Sequence, residues 1–226
     1  MLYFRAVKMV PGMEAIAVPL YLPPEKVYLE SGFDTNVFFG AISLYIREKV
    51  HFLSNMPAFF DKILDSAPLL KLAAKQAGTT RTEGLEDLTL NMINSKNSSR
   101  EKEVKRLVKY LIKNGKPDVI HLSNALIIGL ARQIKQIMDV KIVCSLQNED
   151  DWLNDMAEPY QSMAWKMIAE ESRNIDAFIS PSVYYKDFFV GKAGFPGDKV
   201  FVVPSGIDLA DVGESVRDSI SSQMHL

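Results

Sequence analysis

The stretch "PDVIHLSNALIIGLARQIKQIMDVKIVCSLQNEDDW", residues 117–152, holds two short apolar runs that each stop on polar side chains, with a helical pattern between them. "DVIHL" (118–122) reads as a buried strand, and "VKIVCSL" (140–146), rich in β-branched residues, as a second. Between them "ALIIGLARQIKQIM" (125–138) has helical periodicity, and Ser123 or Asn124 stands where a cap is needed. Two strands joined through a helix must run parallel, because the crossover is too long for a hairpin.

The same alternation continues on both sides. Val104, Leu107, Val108, Leu111 and Ile112 fall on one helical face, and "NGKPD" (114–118) ends that helix with Gly115 and Pro117. Downstream, "PYQSMAWKMIAEESRN" (159–174) is a helix with proline in its first turn, and "DAFISPS" (176–182) is a strand. Ser182 caps "VYYKDFFVGK" (183–192), and "KVFVVPSGID" (199–208) is a strand running into a turn. The fold class is therefore α/β, a doubly wound parallel sheet.

Residues 1–98 have a different texture, irregular and rich in aromatics and proline. "AIAVPLYLP" (15–23) reads as a strand, followed by "VFFGAISLYIREK" (37–49), short helices across 57–76 and a helix over "EGLEDLTLNMI" (83–93). "NSKNSSR" (94–100) reads as a polar hinge between the two textures.

Composition narrows the function. The 226 residues suffice for one large domain, and 47% hydrophobic with 24% charged residues is ordinary for a globular protein. A formal charge of −2 gives no general attraction for nucleic acid. The single cysteine, Cys144, cannot form an internal disulfide, and three scattered histidines give a metal site no support. No apolar run approaches the ~20 residues that span a bilayer, and the start lacks a secretory pattern. The expected location is cytoplasmic. Contact of residues 59–74 with a membrane surface is the lesser reading beside core packing or an oligomer contact.

The order "PDVIHLSNAL…VKIVCSLQNED…DAFISPS…KVFVVPSGID" resembles the N-terminal, acceptor-side domain of a family 4 glycosyltransferase of GT-B architecture. "VPLYLP", "FFGAISLYI" and "LDSAPLLKLAAKQAG" extend the likeness over most of the chain. The resemblance implies a Rossmann-like domain over residues 1–208 and, at 209–226, the start of a linker to a donor domain. It implies a retaining hexosyl transfer from a nucleotide sugar to an acceptor hydroxyl, the donor being expected only in a complete enzyme. No other cofactor is implied. The departures from the pattern are equally specific. Met13 occupies the usual histidine place of a "GHEV"-like turn, only "MLYFRAVK" precedes "VPGMEAIAVPL", and Gln147 replaces a frequent histidine. No two glutamates are spaced like the donor domain's pair. From these departures the expectation is a fragment or a degenerate relative, lacking its first strand and inactive alone, whose missing half a separate donor domain or an oligomer would supply. A non-enzymatic binding or assembly module that kept the fold is the alternative.

Ligands of such sheets bind beyond the carboxyl ends of the strands. His121, Ser123, Asn124, Gln147, Asn148 and Glu149 lie there and are the expected contacts to a sugar or glycan acceptor. All of these but Asn148 have a structural rival. His121 could bond a neighbouring loop, Gln147 and Glu149 could cap a helix starting near Asp150, and Ser123, Asn124, Ser180 and Ser182 are economical helix caps. Trp152 is a candidate for sugar stacking, whereas Trp165 reads as core.

Overall fold

The computed structural model describes residues 6–20, 85–96 and 101–206. Its elements are α1 (Glu86–Ile93), α2 (Glu101–Lys113), β1 (Val119–Leu122), α3 (Leu130–Ile137), β2 (Lys141–Ser145), α4 (Glu149–Asn154), α5 (Tyr160–Glu171), β3 (Ala177–Ser180), α6 (Val183–Ala193) and β4 (Val200–Val202). Short 3₁₀ turns cover Ala125–Ile127, Ser172–Asn174 and Gly197–Lys199. The strands form one parallel sheet in the order β1-β2-β3-β4. Helices separate the strands, so this is the α/β, Rossmann-like parallel architecture expected from the alternation.

Register explains which side chains make the core. Leu122 pairs with Cys144, Cys144 with Phe178 and Phe178 with Val200, so these residues share one face of the sheet. All four are buried. Helix α6 lies on that face. Its Phe189 lies 6.3 Å from Phe178, and Phe195, just past the helix, stacks on Phe178 at 4.8 Å. Trp165 of α5 meets Phe188 and Phe189 edge-on, which makes it the core residue expected. Burying each such aromatic contributes about 1.5–3 kcal/mol. His121, Val143, Ser145, Ile179 and Phe201 occupy the opposite face, where burial is less complete.

Local signals set the helix ends. Asn124 accepts a hydrogen bond from the Leu126 amide, and Ser182 accepts one from the Tyr185 amide. Gly194 follows α6 at φ +66°, the left-handed C-terminal position that glycine fills without strain. At the amino end of the sheet, Asp176 joins neighbouring strands by accepting from the Ile142 amide at 2.8 Å and from Lys135 at 2.6 Å.

Some expectations need correction. The stretch 125–138 is two elements, a 3₁₀ turn and then α3. Residues 15–20, the described part of the strand expected over 15–23, contain only an isolated bridge at Ala17. Ile112 is exposed, because the buried stripe of α2 is Val104, Leu107 and Val108. Of the polar stretch expected over 94–100, the described residues 94–96 form a turn in which the Ser95 hydroxyl donates to Glu171 at 2.5 Å, and 97–100 lie outside the described residues. The elements expected over 37–49 and 57–76, and the tail at 209–226, lie outside the described residues.

The break in 125–138 coincides with a close packing contact. Gly129 sits against the end of α1, where an added Cβ would lie 2.5 Å from the Ile93 carbonyl oxygen and 2.8 Å from its carbon. Its φ of −60° is open to any residue, so space alone demands glycine. Alanine would gain up to about 1 kcal/mol of helix propensity. The clash is with backbone, which cannot rotate away, and such overpacking costs about 1–3 kcal/mol or more. Gly129→Ala should therefore lower the denaturation midpoint, and an unchanged or raised midpoint would refute the close approach of α1.

Candidate functional site at the carboxyl edge of the sheet

At and beyond the carboxyl ends of β1 and β2 the chain is cross-linked by side chains. Three contacts bridge the two segments, and each joins residues 24 apart in sequence. His121 Nε2 lies 2.7 Å from Ser145 Oγ. The Gln147 side-chain amide donates to the Ser123 carbonyl at 2.9 Å. Glu149 Oε1 accepts from the Ala125 amide at 2.8 Å.

Glu149 is the centre of this arrangement. It is 2% exposed. Its second oxygen, Oε2, accepts from the Gln147 amide at 2.7 Å and from the Tyr185 hydroxyl at 2.8 Å. The Glu149 amide in turn donates to the Tyr185 hydroxyl oxygen at 3.0 Å. The carboxylate therefore contacts segments that follow β1, β2 and β3. Burial pushes the Tyr185 hydroxyl far above the usual phenol range, and the charges of Glu149 and Asp150 push it further. Tyr185 thus stays protonated and remains a donor. Burial also raises the Cys144 thiol well above its ordinary value, with Glu149 adding to the effect, so this cysteine is unreactive.

The six expected contact residues divide by exposure. Ser123, Gln147 and Asn148 are exposed at the edge, and Asn148 precedes α4 without making a side-chain cap. His121 and Asn124 are half-buried, and Asn124 is occupied as the cap of the 3₁₀ turn. Glu149 faces inward with both oxygens engaged. It does act as a cap, but for the turn after β1 rather than for its own helix.

Trp152 is partly buried and donates from Nε1 to Thr89 Oγ1 at 3.0 Å, tying α4 to α1. Ser180 is buried and donates to the Ser182 carbonyl, so it too belongs to the framework. Sequence reasoning missed Tyr185 because it reads as one more aromatic of α6. It also missed Val183 and Tyr184, which begin α6 beside this edge and are 62% and 78% exposed. Among the described residues no His/Cys/Asp/Glu group could hold a metal ion, and no helix is long and apolar enough to cross a membrane.

His121 makes this region sensitive to pH. Burial lowers its pKa below the ordinary histidine value. As pH falls through about 6.5 the unfolded chain takes up a proton before the folded one does, so stability drops until the folded-state pKa is passed. The stability advantage of the wild type over His121→Gln should therefore shrink between about pH 7.5 and pH 5. Thermal melts at the two pH values check this, and an advantage that is constant or grows toward acid would contradict it.

No curated protein matches this chain. The family model described as Glycosyltransferase Family 4 matches residues 74–211, more than half of the chain and all four strands. The chain belongs to glycosyltransferase family 4.

Proposed function

We propose that this chain is the acceptor-side domain of a retaining glycosyltransferase, presenting a sugar or glycan hydroxyl to a nucleotide-sugar donor bound by a separate element. The observation that carries the reading is the exposed trio Ser123, Gln147 and Asn148, set on a cross-linked edge. Carbohydrate recognition needs short polar groups that both donate and accept, and a hydroxyl with two carboxamides supplies both. Glutamine cannot remove a proton at neutral pH, so the role proposed for Gln147 is binding and orientation. Half-buried His121 forms the floor beneath these residues through Ser145.

On this reading, positioning the acceptor is what the domain contributes to catalysis, and the donor-binding element is needed for turnover. The 226-residue polypeptide alone should bind but not transfer. With methyl α-glucoside, α-mannoside and α-galactoside as probes, ligand-observed NMR should detect binding of at least one. Gln147→Ala and Asn148→Ala should each weaken it by roughly five- to tenfold, the effect of about 1 kcal/mol per lost hydrogen bond. The melting temperature should stay within a degree or two (about 0.5 kcal/mol or less), because both side chains are exposed. Binding by both variants as tight as by the wild type, or no binding to any probe, would overturn the reading. Turnover of a nucleotide sugar by the polypeptide alone would overturn the division of labour.

A further inference from the structure

We propose that Glu149 is a positioning residue that never touches ligand, and that it couples the acceptor edge after β1 and β2 to the start of α6. This rests on the acceptor-edge reading for its functional consequence, but not for its structural content.

Burying a carboxylate is costly. An acid removed from water needs compensation, and among the described residues Glu149 receives it from two backbone amides and one phenol. Those donors belong to different segments. Ala125 opens the 3₁₀ turn after β1, Gln147 lies in the loop after β2, and Tyr185 lies in the first turn of α6 after β3. One group therefore determines the spacing of all of these segments. Ser123 and Asn148 lie within two residues of the clamped positions Ala125 and Gln147, and the Gln147 side chain reaches across to the Ser123 carbonyl. A shift of the clamp moves the whole exposed trio.

Tyr185 extends the coupling. Its hydroxyl contacts the Glu149 carboxylate and the Glu149 amide together, so it reads both the side chain and the backbone of the same residue. The neighbouring side chain, Tyr184, is exposed at the same edge. A ligand that orders the β1 and β2 loops would therefore be felt at Tyr184 through the carboxylate.

Glu149→Gln tests this, since it keeps the shape of the side chain but places an amide donor where one oxygen now accepts. Residue-resolved hydrogen exchange, well below the melting temperature, should show the amides of Ala125, Gln147 and position 149, which donate to the carboxylate or to the Tyr185 hydroxyl, losing protection by about tenfold or more. The Cys144 and Phe178 amides in the strands should change by less than about twofold. Affinity for whichever methyl glycoside the wild type binds should fall by about tenfold, although Glu149 is buried. Unchanged exchange at the three amides would overturn the proposal, and so would equal loss at strand and loop amides, the signature of a role in global stability only. If Glu149→Gln does not fold, Tyr185→Phe removes one donor, and the same amides should respond by roughly threefold. Should the wild type bind no glycoside, the acceptor reading fails by itself, and the exchange pattern still decides whether Glu149 is the clamp.

Discussion

A buried carboxylate with no cation partner among the described residues constrains everything near it. Glu149 lies at the first position of α4, where a negative charge is favoured by the exposed amides of the helix start. Most of its compensation nevertheless comes from other segments, through the Ala125 amide and the Tyr185 hydroxyl. A fully buried acid that lost these donors would carry a penalty of several kcal/mol, comparable with much of a small domain's net stability. The three segments are joined in this arrangement by the donors that satisfy the carboxylate.

The sheet makes this economical. Parallel strands deliver their following loops to one edge, and register places Leu122, Cys144 and Phe178 side by side. The segments after β1 and β2 therefore leave the sheet together, and the pairing continues in side chains once backbone pairing ends. Aromatic packing supports the third member. Phe189 and Phe195 hold α6 against Phe178, which fixes where Tyr185 can reach. An apolar core on one face thus sets the position of a phenol at the edge, and the phenol helps to set a carboxylate.

Much of this was legible in the sequence. Strand and helix alternation fixes the architecture, and strand-end positions locate the edge, because periodicity and the crossover rule act locally. The direction of a side chain at a strand end does not follow from periodicity. Glu149 therefore looked equivalent to Gln147, although one is buried and the other exposed. The need for glycine at 129 was hidden because the carbonyl of Ile93, which leaves no room for a side chain there, is distant in sequence. Trp152 looked like a stacking platform, yet its indole nitrogen is committed to Thr89 of α1, also far away in the chain. In each case the deciding partner lies in another element, and only the fold brings the two together.

A double-mutant cycle between Glu149→Gln and Tyr185→Phe, read by denaturant unfolding, tests the central claim most directly. If the carboxylate and the phenol act as one clamp, the second substitution should cost little once the first is made, with a coupling energy of about 1–3 kcal/mol. Additivity within about 0.5 kcal/mol would mean that the two groups stabilise the protein independently, and the clamp would not exist.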